Sequence, residues 1–186
     1  MKILSIILII LATFAVAPVA SADNESFSSW LFSFERKKEV ASVKDDVYQE
    51  ECGSCHFPYQ PGLLPERSWK KLLSASALEN HFKENAELDE ETRLHIENYT
   101  IGNSADKSRY KRSRKVMASL ESDVTPMRIT EVPYIKSKHE EIPEKLIKGN
   151  DKVKALSFCD KCHQDAANGN FDDDSVKIPG YGNWTW

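Results

Sequence analysis

Three stretches of the chain repeat apolar residues at helical spacing, and the segments between them do not. From Ser68 to Phe82, Trp69, Leu72, Leu73, Leu78 and Phe82 fall near helical spacing, with the Lys and Glu positions off that stripe. This pattern predicts one helix, with Ser68 as its N-cap and Pro61, Gly62 and Pro65 breaking the chain before it. Asp89 heads a second amphipathic stretch that runs to Tyr99 and is closed by Gly102 and Asn103. A further helix is expected from Val43 to Cys52. Pro133 and Pro143 bracket a stretch unsuited to a long helix, and the tail "IPGYGNWTW" from Ile178 has no helical period. No strand alternation appears, so the expected fold class is mainly α with extensive irregular loops.

The longest apolar run lies at the start. Lys2 precedes Ile3 to Ala17, followed by Pro18 and the small residues Ala20-Ser21-Ala22. Residues 1–22 therefore read as a cleavable secretory signal peptide, which places the protein in the periplasm. The run is short for a membrane span of about 20 residues; an uncleaved anchor is the alternative. Residues 23–37 form an N-terminal arm whose aromatic cluster, Trp30, Phe32 and Phe34, is expected to pack on the neighbouring lobe of the fold. The rest of this chain of 186 residues, with formal net charge −4, is rich in charge and poor in Val and Ile. A core of side chains alone would be thin, so something else is expected to fill the interior.

The cysteines indicate what does. All four fall in two copies of one pattern, Cys52-Gly53-Ser54-Cys55-His56 and Cys159-Asp160-Lys161-Cys162-His163. Disulfides suit an exported chain but give no reason for a His after each second Cys. A zinc site would leave those histidines surplus, and a redox dithiol needs an α/β context that these flanks lack. Cys-x-x-Cys-His puts two sulfurs on one side of a helical turn, where they add to the vinyl groups of a haem, and points the next imidazole at the iron. Cys52, Cys55, Cys159 and Cys162 are thus read as tethers of two haem c groups, and His56 and His163 as proximal iron ligands.

The sixth ligands decide between a relay and a reactive iron. His81, at the end of the predicted 68–82 helix, is assigned to the first haem. His139, in "VPYIKSKHEEIPEKL", is assigned to the second. His95 is the reserve ligand, and Met117 and Met127 are the other candidates. Two haem-binding lobes are expected, residues 38–105 and 106–186, with the tail lying against the second haem. From Asp106 to Lys115, "DKSRYKRSRK" sets six basic side chains against one acid. The run is either a solvated helix face or a patch that steers an anionic partner or neutralises haem propionates. Arg128 is a second propionate candidate. Nucleic acid is a poor fit for an exported, net acidic chain.

The strings "CGSCHFPYQPGLLPERSWKKLL", "LENHF", "RITEVPYIKSKHEEIP", "FCDKCH" and "IPGYGNW" resemble the dihaem cytochrome c family of bacterial periplasms. The resemblance implies a cytochrome c-like fold and two six-coordinate haems, and favours His81 and His139 as distal ligands. It also implies electron transfer with redox protein partners, a small oxygen-binding monohaem c-type cytochrome and a membrane b-type cytochrome. The stretch "NESFSSWLFSFERKKEVASVKDD" departs from the family pattern. The competing classes are a haem enzyme and a gas-binding or sensor protein, each of which needs one open iron.

Overall fold

The structure is a computed structural model that describes residues 39–184. The expected signal peptide of residues 1–22, the arm 23–37 with Trp30, Phe32 and Phe34, and the final Thr185 and Trp186 lie outside the described residues. Among the described residues no helix is long and apolar enough to cross a membrane.

Helix α1 spans Asp46–Gly53. It starts later than Val43 because Asp45 is extended and its carboxylate accepts the Tyr48 N–H at 2.8 Å, capping the first turn. Tyr48 is buried beneath the helix and donates its hydroxyl to the Tyr59 carbonyl at 2.6 Å. This fixes the chain just beyond the first Cys-x-x-Cys-His.

The single helix expected over 68–82 is instead two, α2 at Glu66–Leu72 and α3 at Ala75–Glu79. Ser68 is not the cap: Pro65 is, in extended conformation, and the Asp106 carboxylate accepts the first free N–H, that of Glu66, at 2.5 Å. The break falls at Ser74, whose hydroxyl donates to the Lys71 carbonyl at 3.0 Å and whose backbone turns extended. Packing gives the reason. At about 100° per residue, a continuous helix would turn Leu78 about 120° away from Leu72 and about 140° away from Leu73. The break lets Leu72, Leu73 and Leu78 all enter the same core.

Helix α4, Glu90–Gly102, begins where expected, with Asp89 accepting the Thr92 N–H at 3.0 Å. Arg93 lies between Glu90 and Glu97, at 2.8 Å from each, and reaches the Leu73 carbonyl at 3.0 Å, joining α4 to the end of α2. Short helices follow: α5 at Lys111–Ala118, α6 at Pro133–Ser137, α7 at Glu144–Ile147 and α8 at Cys159–Cys162. The tail holds an antiparallel pair that the sequence pattern did not reveal, β1 at Lys177–Ile178 with β2 at Gly182–Asn183. Two residues per strand are too few for alternation to register. Ile178 is buried and Tyr181, in the turn, is 62% exposed, so only part of the tail packs inward.

The larger hydrophobic core draws on both sides of position 105, from Val40, Tyr48 and Trp69 to Val116, Val132 and Phe171. A smaller one joins Leu146, Val153, Val176 and Ile178. The first described residues close the larger core from outside: Glu39 and Val40 donate their N–H groups to the Gly169 carbonyl at 2.9 and 3.2 Å, and Glu39 accepts from the Arg112 N–H at 3.0 Å. Gly169 has φ +78°, and a Cβ there would collide with the Val40 carbonyl oxygen. Gly169→Ala should therefore lower stability by about 2 kcal/mol or more. Gly102→Ala, where a Cβ meets nothing within 4 Å, should leave it unchanged or slightly raised. Denaturant midpoints of the two variants check both.

Candidate functional site

The first motif straddles a helix end. Cys52 sits in the last turn of α1, Cys55 lies just past it, and His56 comes next, where the chain leaves the helix. His56 Nδ1 lies 2.9 Å from the Phe57 carbonyl oxygen. A carbonyl only accepts, so Nδ1 is the donor in this contact and Nε2 is left for another partner. The His81 ring faces it, with centres 6.4 Å apart and planes 24° from parallel. His81 is held by a tight turn in which it exchanges backbone hydrogen bonds with Glu84 at 2.8 and 3.1 Å. Phe82 and Lys83 take the left-handed region, at φ +55° and +87°.

The second motif forms α8 itself, with His163 at its end. The His139 ring centre lies 6.1 Å from that of His163, with planes 72° apart. His139 Nδ1 donates to the Ile135 carbonyl at 2.7 Å, again leaving Nε2 free. His163 is partly buried and its Nδ1 fully so, without a hydrogen-bond partner among the described residues. Burial pushes its pKa down to about 4, with His139 and Arg112 adding to the effect, so the ring is the neutral imidazole that metals take. His81 and His139 are likewise lowered, mainly by burial.

Cys159, Cys162, His139 and His163 all line a cavity of about 800 Å³, a size typical of cofactor sites. Its walls are largely apolar, with Ile129, Ile135, Leu146, Val153 and Phe171 among them. The cysteines are free, not paired with one another. Burial pushes the Cys52 and Cys159 thiols up to about 12, the reverse of the lowered pKa of a redox-active or zinc-bound thiolate. An iron bonded to two imidazoles at about 2 Å, each ring centre roughly 1 Å behind its nitrogen, would hold the centres about 6 Å apart. Both pairs have this spacing, and the residues present therefore fit two haems.

The structure does not bring His95 into either pair. It lies on α4, half exposed, with Nε2 2.9 Å from the Asp45 carboxylate that also caps α1. Met117 and Met127 pack against the larger core. The basic run is divided by α5: Lys111, Arg114 and Lys115 face solvent, whereas Arg112 turns inward onto the cavity wall. Arg128 places its guanidinium 3.7 Å from the Phe82 ring centre, beside His81, and also lines the second cavity.

Two residues near the histidines were missed from sequence. Tyr59 stands with its ring 5.0 Å from that of His56 and donates its hydroxyl to the Ser157 carbonyl at 2.6 Å, just before Cys159. Phe171 lies 5.2 Å from His163. Nothing in local spacing marks either, whereas the inward turn of Arg112 had a signal in its i,i+4 relation to Val116 on a helix that is otherwise basic.

Comparison with known proteins gives the same picture. Residues 48–171 match the family described as Dihaem cytochrome c. The X-ray structure of a diheme cytochrome type c from Shewanella baltica OS155 is 36% identical, with TM-score 0.62, over 75% of this chain and 97% of that one. Diheme cytochrome c from Rhodobacter sphaeroides is 38% identical, also with TM-score 0.62, over 71% of this chain and 100% of that one. No curated protein matches. His95→Ala should leave the visible spectra of the holoprotein unchanged in both oxidation states, because His95 is engaged with Asp45. Loss of a low-spin band in that variant would assign it to an iron.

Proposed function

The chain belongs to the dihaem cytochrome c family and binds two haem c groups, and we propose that it is an exported electron carrier whose irons each sit between two histidines. The observation that carries this reading is the pair of facing imidazoles at each Cys-x-x-Cys-His, 6.4 and 6.1 Å apart. Each haem, when bound, supplies a one-electron iron couple tuned by its ligands and surroundings.

Cys52 and Cys55 tether one group and Cys159 and Cys162 the other, with His56 and His163 as proximal ligands and His81 and His139 as distal ones. Each proposed lobe, 38–105 and 106–186, contributes both histidines of its own pair. Phe57, Ile135 and the short helices hold the rings facing inward, so little side-chain movement accompanies a change of oxidation state. An iron held between two histidines would leave no place for a substrate on the metal, which favours a carrier over an enzyme or gas sensor. A His/His set also holds the potential below that of a His/Met set.

Residues 1–22 act as a cleavable signal that delivers the chain to the periplasm. Lys111, Arg114 and Lys115, exposed on α5 behind the second cavity, steer an acidic redox partner. The family resemblance supports a small oxygen-binding monohaem c-type cytochrome and a membrane b-type cytochrome as the partners.

Spectra of the purified protein, oxidised and reduced, with and without carbon monoxide, test the central claim. Two low-spin haems that ignore the gas are expected; a high-spin component that binds it in the native protein would transfer the reading to the enzyme or sensor class. His81→Ala and His139→Ala should each create one carbon monoxide-binding haem and leave the other low-spin.

A further inference from the structure

Among the described residues, Arg112 is the only charged side chain that is buried. It lies on the wall of the cavity that holds His139 and His163. Its guanidinium is fully engaged: Nε donates to Glu39 Oε2 at 2.9 Å, Nη1 to the Tyr134 hydroxyl at 3.2 Å and Nη2 to the Phe171 carbonyl at 2.8 Å. Nη2 also contacts Glu39 Oε2, and Asp173 Oδ1 stands 3.9 Å away. The rings of Tyr134 and Phe171 flank the cation at 5.7 and 5.9 Å from their centres.

Glu39 is the principal counter-ion, with only 12% of its side chain exposed. Its backbone is pinned on both sides, to Gly169 and to Arg112. Glu39 precedes the 48–171 span that matches the family, so this counter-ion comes from outside the matched region. The first pair has a different environment. Arg128, the cation beside His81, has a side chain 49% exposed, and water screens it.

A buried charge acts on a nearby iron more strongly than an exposed one, because the surrounding dielectric is low. A cation beside the haem favours the reduced state, which carries one more electron, and an anion favours the oxidised state.

We propose that the buried Glu39–Arg112 ion pair sets the reduction potential of the second haem, with Glu39 holding it down by masking the Arg112 charge, and so makes the two haems inequivalent. The inference rests on the two-haem, bis-histidine reading. Glu39 and Arg112 are positioning residues in this scheme: they alter the field at the site and touch no reacting atom.

The test is spectroelectrochemical titration of the full holoprotein, with the second-site wave identified as the one that His139→Ala displaces. In Glu39→Gln the second wave should move to higher potential by about a tenfold change in its reduced-to-oxidised ratio, about 59 mV for one electron. In Arg112→Gln it should move lower. The double variant should return near the native value, and the first wave should stay in place throughout. Glu39→Asp keeps the charge and should titrate like the native protein, so the proposal stays testable if Arg112→Gln fails to fold. Shifts of the same sign in the two single variants, equal displacement of both waves or no displacement would overturn the proposal. If the native protein lacks two low-spin waves, the two-haem bis-histidine reading fails instead.

Discussion

The ring centres of His56 and His81 stand 6.4 Å apart and those of His139 and His163 6.1 Å apart, and much of the irregular chain serves to hold those spacings. Two imidazole rings at this distance do not attract each other strongly enough to define the gap, so the backbone has to hold it. At the first site this falls to the end of α1 and to a turn with two non-glycine residues in the left-handed region. At the second it falls to α8 on one side and the chain after α6 on the other. Short helices suit the task because each needs to carry only one or two ligating groups. The porphyrins supply apolar surface that would otherwise have to come from side chains.

The two sites are not independent modules on a string. The larger core takes residues from both halves of the described chain, and Tyr59 runs from the first histidine pair to the segment that leads into Cys159. Arg128 lies beside His81 and on the wall of the second cavity. Contacts of this kind tie the segments that hold the two motifs to one another.

Charge is distributed unevenly between the sites. The second contains a buried, fully hydrogen-bonded guanidinium with carboxylates around it, whereas the cation near the first is open to solvent. A buried ion pair is weak as a source of stability, because desolvation offsets much of the attraction. Its place beside a histidine pair fits a role in tuning the site rather than in stability. The exposed side of α5 carries Lys111, Arg114 and Lys115 in water, away from that site.

The sequence by itself determined the cofactor chemistry and the helical class, since Cys-x-x-Cys-His acts over five consecutive residues and Asp89 caps a helix through its own neighbours. Its apolar spacing also located α4 closely. It failed where a long-range contact overrode a local pattern: the helix expected over 68–82 broke at Ser74 so that Leu72 and Leu78 could reach one core. The β pair at Lys177–Ile178 and Gly182–Asn183 was too short to leave a period. Only the tertiary structure showed His95 held by Asp45, Tyr59 reaching the Ser157 carbonyl and Glu39 reaching Arg112 across the fold. Those pairings join residues far apart in the chain, and a position's own neighbours contain no information about which distant group will be folded against it.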